Sequence, residues 1–161
     1  MRIAIPMALL ALAACSSEPT EEERQAAIAE VEATQSPPPL SIEPQPILYP
    51  DIEANDLYGA GCSFAPDGGG LGAVAIAMAE TGYLKLEDAI VELAADTGSA
   101  ELPYLARSEY DGTTYSFRLT IDEESGAPSG DETSDYSGEL TVFDPQDRTV
   151  YQATGIVQCG A

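Results

Sequence analysis

The stretch Thr114-Tyr115-Ser116-Phe117-Arg118-Leu119-Thr120-Ile121 decides the fold class. Tyr115, Phe117, Leu119 and Ile121 fall on one side of an extended chain, and Thr114, Ser116, Arg118 and Thr120 fall on the other. A period of two, built from aromatic and β-branched residues, predicts a strand with one face buried. Glu139–Phe143 and Thr149–Cys159 predict two more, joined by Asp144-Pro145-Gln146-Asp147, where Pro suits a tight turn. In the last strand Tyr151, Ala153, Gly155, Val157 and Cys159 share a face, which turns the Cys159 sulfur inward.

Upstream, Ala73–Ala79 and Tyr83–Leu86 flank Glu80-Thr81-Gly82 and predict a second hairpin. Leu86–Ala95 fits two patterns: Leu86, Ile90 and Leu93 suit a helix closed by Gly98, whereas Ala89–Ala95 suits a strand leaving a tight Glu87-Asp88 turn. Between hairpins the strand is the consistent choice. The polar run Asp122–Asp135, with Gly126, Pro128 and Gly130, predicts a mobile loop. About six or seven strands over residues 57–161 predict a mainly β domain, a small antiparallel β-barrel or sandwich.

The 161-residue chain carries 28 acids against six bases, a formal net charge of −22, and has neither His nor Trp. Six scattered cations cannot build the basic face that neutralises phosphates, so nucleic acid is excluded as a partner. Without His, the usual general base, the usual zinc ligand and the Ser-His and Cys-His nucleophile pairs are all missing.

Met1 and Arg2 precede an apolar run, Ile3–Leu12, and then Leu12-Ala13-Ala14-Cys15. The run is too short to span a bilayer as a helix, which needs ~20 residues, and reads as a signal peptide. Leu-Ala-Ala-Cys resembles the lipobox of bacterial lipoproteins. The resemblance implies removal of residues 1–14, a diacylglyceryl thioether on the Cys15 sulfur and an acyl group on its amine. Several acyl chains hold a protein on a membrane far better than one. Ser16 and Ser17 follow Cys15, where inner-membrane retention uses Asp, so the outer membrane is the expected site, facing the periplasm or the exterior.

Residues 15–56 read as a disordered or partly helical tether. Thr20 followed by Glu21, Glu22 and Glu23 predicts a capping box and a helix through about Gln35, with only Ala27, Ile28 and Val31 as an apolar stripe. Ser36–Pro50 then holds six of the 12 prolines and predicts an extended spacer. The tether has ten acids and one base; the domain, residues 57–161, has 18 acids and four bases. Once Cys15 is lipidated, Cys62 and Cys159 remain, and an even pair in an exported chain predicts a disulfide closing nearly the whole domain.

Three constellations carry candidate chemistry. Asp96-Thr97-Gly98 resembles the tripeptide around the catalytic carboxylate of aspartic peptidases, whose single-domain, retroviral-type members work as homodimers. That resemblance implies a hydrolase built on Asp96; an Asp-Thr-Gly turn after a strand is the alternative. Asp122, Glu124, Asp131 and Asp135 lie in one acidic stretch where calcium is conceivable, but EF-hand spacing is missing and a solvated loop is the simpler account. No cofactor beyond the lipid is expected. Ser108, Tyr110 and Tyr115, around Ser108-Glu109-Tyr110-Asp111-Gly112, suit protein recognition, since Tyr offers large contact area with few rotors to freeze. The layout of lipobox, small β domain, early and late Cys and central Ser/Tyr loop is similar to the membrane-bound inhibitors of c-type lysozyme. Those inhibitors have Gly where Glu109 stands, and the single Lys of this chain, Lys85, lies outside the matching region.

The expectation is a lipid-anchored, non-enzymatic binding or structural protein of the cell envelope, with a basic envelope or extracellular protein drawn in by long-range charge. Metabolic labelling with a clickable palmitate analogue should tag the wild-type chain. Cys15→Ala should abolish the tag and move the protein from the membrane pellet to the soluble fraction.

Overall fold

Apolar residues at every second position leave each strand with one face to hide, and here the strands hide it by closing on themselves. The computed structural model describes residues 20–35, 38–70 and 72–161. The lipobox and Cys15 lie outside the described residues.

Residues 1–38 and 39–161 form separate units. The first contains helix α1, Glu21–Gln35. Its capping box is reciprocal: Glu23 N–H donates to Thr20 Oγ1 at 3.2 Å, and Thr20 N–H donates to Glu23 Oε2 at 2.8 Å. Ile28 and Val31 are exposed on it.

The second unit begins with helix α2, Tyr49–Asn55, and continues as eight strands. These are β1 (Gly61–Pro66), β2 (Ala75–Met78), β3 (Thr81–Leu86), β4 (Ala89–Ala95), β5 (Glu109–Asp111), β6 (Ser116–Pro128), β7 (Thr133–Phe143) and β8 (Thr149–Gly160). Each pairs antiparallel with the next, and β8 returns to β1, giving a closed barrel. The seam runs from Gly61↔Gly160 to Pro66↔Gly155. At Gly155 a Cβ would lie 2.1 Å from Ala65 O, so only Gly lets the two backbones approach this closely. One step in from the seam's lower end, Cys62 faces Cys159 in register and the two sulfurs are bonded.

Alternation decides what fills the barrel. Phe64, Leu84, Leu93, Tyr110, Phe117, Leu119, Leu140, Val142 and Val157 point inward and are buried. Arg118, Thr141 and Gln152 share a register row on the outside, as do Thr120, Glu139 and Thr154. Apolar-in, polar-out is the opposite of a lipid-facing barrel wall. Gly82 makes room for the largest buried pair. A Cβ there would lie 2.6 Å from the Tyr110 ring and 2.7 Å from that of Phe117, which stack with centroids 4.7 Å apart.

The end of the barrel carrying the β3–β4 and β7–β8 turns is termed the upper end. In the β7–β8 turn, Asp144 accepts from Gln146 N–H at 2.9 Å, Arg148 N–H at 3.0 Å and Arg148 Nε at 2.8 Å. Those partners, the Arg148 side chain foremost, hold its carboxyl below the usual carboxylate range. At the lower end the β4–β5 loop tucks Leu102 and Ala106 into the core.

Three expectations need correction. The strands number eight, because Gly61–Pro66 and the three-residue Glu109–Asp111 are too short or too weakly alternating to announce themselves. Asp122–Asp135 is not a loop: β6 runs on to Pro128 and β7 starts at Thr133, their polar residues held by ladder bonds across the hairpin rather than by apolar burial. The folded body begins at Pro39, not Leu57. Residues 39–48 form a strap bonded to the barrel rim at Ile42, Gln45 and Ile47, and Ile47 is buried, which removes this part of the Pro-rich stretch from the spacer.

The disulfide bridges a separation of 97 residues, and loop-closure entropy for such a span is on the order of 4–5 kcal/mol. Replacing both Cys62 and Cys159 by Ala should lower unfolding stability by about 2–5 kcal/mol in denaturant titration. Reductant should bring the wild type to the same midpoint.

Candidate functional site

The structure scatters most of the candidates. Tyr110 is fully buried; its hydroxyl donates to Met78 O and accepts from Arg107 N–H at 2.7 Å. Burial pushes its phenol upward from the usual value. It is a core residue, not a contact for a partner. Ser108 is half-buried, with its backbone bonded to Ala100 and Leu119. Only Tyr115 of this trio reaches a cleft.

Asp96 Oδ1 accepts from Gly98 N–H at 2.8 Å, and Ser99 donates to Asp96 O through both its hydroxyl and its amide, at 2.7 and 3.1 Å. Asp96-Thr97-Gly98 is thus a side-chain-stabilised turn leaving β4. Asp122 Oδ1 accepts from Glu124 N–H at 3.1 Å, whereas Asp135 Oδ1 accepts from Ser129 Oγ and Gln158 Nε2 at 2.7 and 2.9 Å. Asp131 lies in the β6–β7 turn. Strand pairing draws these acids out along a hairpin, and among the described residues no three His, Cys, Asp or Glu side chains gather as metal ligands.

What the fold builds instead is a cleft at the upper end. Leu86-Glu87-Asp88-Ala89 closes the β3–β4 hairpin with two central residues at φ 49° and 63°. Such a turn favours Asn-Gly, since a side chain in the left-handed region costs roughly 1–2 kcal/mol. Here it carries two acids, and Asp88 N–H donates to Gln45 Oε1 of the strap at 2.6 Å. The strap itself is pinned to the rim at three points: Ile42 N–H to Val150 O at 3.1 Å, Gln45 N–H to Lys85 O at 2.8 Å and Ile47 N–H to Ala73 O at 2.7 Å.

Between the strap, upper β4 and the β5–β6 turn lies a cleft of about 780 Å³. Its apolar wall is Ile42, Leu86, Val91 and Tyr115; Glu43 and Glu87 supply carboxylates, and no base lines it. The four bases of the body all sit on acids elsewhere: Lys85 on Asp51, Arg107 on Glu101, Arg118 on Glu109 and Arg148 on Asp144. An apolar wall beside uncompensated carboxylates suits a ligand that is apolar on one side and cationic on the other. A smaller hollow of about 210 Å³ lies outside β5 and β6, where Arg118 bonds Glu109 at 2.8 Å and lies 5.6 Å from the centre of the Phe143 ring.

No family model, curated protein or solved structure matches the chain.

Sequence reasoning found the Glu87-Asp88 turn and Tyr115 but missed Ile42, Glu43 and Gln45, which join the site through contacts from a segment that reads as spacer. The salt bridge between α2 and β3 helps to hold that segment. Lys85 Nζ donates to both Asp51 oxygens at 2.8 Å, and Leu48 N–H donates to Oδ2 at 2.8 Å. These contacts, Lys85 first, hold the Asp51 carboxyl below the usual range. A depressed folded-state pKa contributes stability above the unfolded value, near 4, and loses it as pH falls through the folded one. Asp51→Asn should therefore be less stable than wild type from neutrality down to about pH 4, and the gap in denaturation midpoint should close on further acidification.

Proposed function

We propose that the chain is a lipid-anchored protein of the bacterial cell envelope, held at the outer membrane through Cys15, and that its barrel is a non-enzymatic binding module for a basic protein segment. The anchor rests on the Leu12-Ala13-Ala14-Cys15 resemblance, and the observation that carries the binding role is the upper cleft, whose apolar wall and acidic rim lie in a body with every base already paired. The interior supports it as well. Aromatic and aliphatic side chains occupy the barrel axis, so the surface is where this fold offers itself to a partner. Beyond the 18 acids of residues 57–161, the body adds Glu43, Asp51, Glu53 and Asp56 against the same four bases. That excess steers cations toward it over about a Debye length, ~8 Å at physiological salt.

A tethered binding domain needs reach as well as affinity. In this reading the 24 residues from Cys15 to Pro38 supply that reach, since a chain spans at most about 3.3–3.6 Å per residue.

The test uses the full chain carrying Cys15→Ala, to keep it in solution, and a blocked seven-residue peptide of alternating Lys and Val. Calorimetric titration should show binding that weakens with salt. The double variant Glu43→Gln/Glu87→Gln should bind roughly two- to tenfold more weakly, as expected for two partly exposed charge pairs. Equal affinity of the variant would remove the cleft from the reading.

A further inference from the structure

At the upper rim the strands run out of neighbours, and some of the backbone groups left there find partners in the strap and the loops. On β8 above its pairing with β1, Thr154 O accepts from Asp67 N–H at 3.0 Å and Val150 O from Ile42 N–H at 3.1 Å. On β3 above β2, Lys85 O accepts from Gln45 N–H at 2.8 Å. The strap and the β1–β2 loop thus cap those two edges at three carbonyls, and on β8 only Gln152 lies bare between two capped neighbours among the described residues.

β4 is left open. Its two-residue turn makes Leu86↔Ala89 the first bonded pair of the β3–β4 ladder. Antiparallel alternation then directs the amides and carbonyls of Ala89, Val91 and Leu93 to β3, and those of Ile90, Glu92 and Ala94 to the opposite side. Ala94 meets Asp111, where three-residue β5 ends. Among the described residues, no hydrogen bond reaches Ile90 or Glu92 on that side. The cleft lies beside this bare edge, with Ala89 and Val91 in its wall.

We propose that the open edge of β4 takes up an extended, basic segment of a partner protein as an added strand; this rests on the cleft being the binding site, as read above. Two donors and two acceptors, on Ile90 and Glu92, are spaced to match every second residue of an incoming strand. One set of its side chains enters the cleft toward Leu86, Val91 and Tyr115. The other set stands outside, level with Glu92. Glu43 and Glu87 on the cleft and Glu92 on the strand make Lys or Arg, alternating with apolar residues, the complementary chemistry. A second copy of the chain would bring acid against acid.

The long edge of β6 is a poorer receptor. Beyond Leu119, whose N–H donates to Ser108 O, β6 continues past the end of its pairing with β5. There the register breaks between Asp122 and Ala127, and Asp122, Glu123 and Glu124 stand together. A bulge and consecutive like charges are how an edge is kept from pairing. β4 has the regular ladder that β6 lacks.

Amide exchange followed by NMR on the full chain carrying Cys15→Ala tests the mode of binding. The probes are the alternating Lys-Val peptide and the same peptide with its interior amides N-methylated, which keeps charge and side chains but removes the backbone donors. The unmodified peptide should slow exchange at Ile90 and Glu92 at least tenfold, and the methylated one should bind at least tenfold more weakly. Shifts at Val91 and Tyr115 with equal affinity for both peptides, and no added protection at Ile90 and Glu92, would overturn strand addition while leaving the cleft as a binding site. No shift anywhere would overturn both. Protection of residues 120–128 instead, or protection of Ile90 and Glu92 that grows with protein concentration alone, would also overturn the proposal, in favour of the β6 edge or of self-pairing.

Discussion

An antiparallel meander ends in two bare edges unless its first strand pairs with its last. Here that pairing is six residues long, Gly61–Pro66 against Gly155–Gly160, and a covalent bond crosses it where Cys62 faces Cys159. The rest of the body follows from this closure. Once the sheet is a ring, every inward side chain has neighbours on all sides, and Tyr110, Phe64 and Phe117 can be buried fully in a domain of modest length. Only small residues allow the ring to close this tightly, as the contact of Gly155 with Ala65 O shows.

Closure also creates the cleft. Strands of unequal length cannot end level around a ring, so some backbone groups at the rim face no strand. The strap answers for β3 and β8 by bonding to Lys85 and Val150. β5 stops at Asp111, and the wall above it remains open between upper β4 and the β5–β6 turn. The gap is lined by side chains that continue the core outward: Leu86 is buried, and Ile42, Val91 and Tyr115 pack against the buried cluster while also lining the cleft. Acids then rim it because the tight turn presents Glu87, and the strap, tied to that turn through Gln45 and Asp88, presents Glu43.

Local pattern told most where burial is one-sided. The alternation of Thr114–Ile121 places Phe117 and Leu119 in the core, and that of Tyr151–Cys159 turns the sulfur inward, both as the structure has them. The strand choice for residues 89–95 and the tight Glu87-Asp88 turn also stand. Patterning was silent where pairing, not burial, holds a strand. The polar residues of Asp122–Pro128 carry no apolar stripe, yet they extend β6 because β7 offers them a ladder. Tyr110 reads as a surface aromatic beside Ser108 and Gly112, and its burial depends on Gly82, which is remote in sequence and adjacent only in the sheet. The site is less legible still, since it is made of ends.

The sequence by itself determined the fold class, the paired cysteines and the acidic character of the body. These depend on the period of side chains along one strand and on composition, both local quantities. Only the tertiary structure decided the number of strands, which edge stays bare and that the strap belongs to the body. Those depend on where one strand's backbone bonds stop relative to its neighbour's, a difference of a few residues between segments far apart in the chain. Periodicity describes a strand's faces; it carries no information about its edges, and in this protein the candidate site lies on an edge.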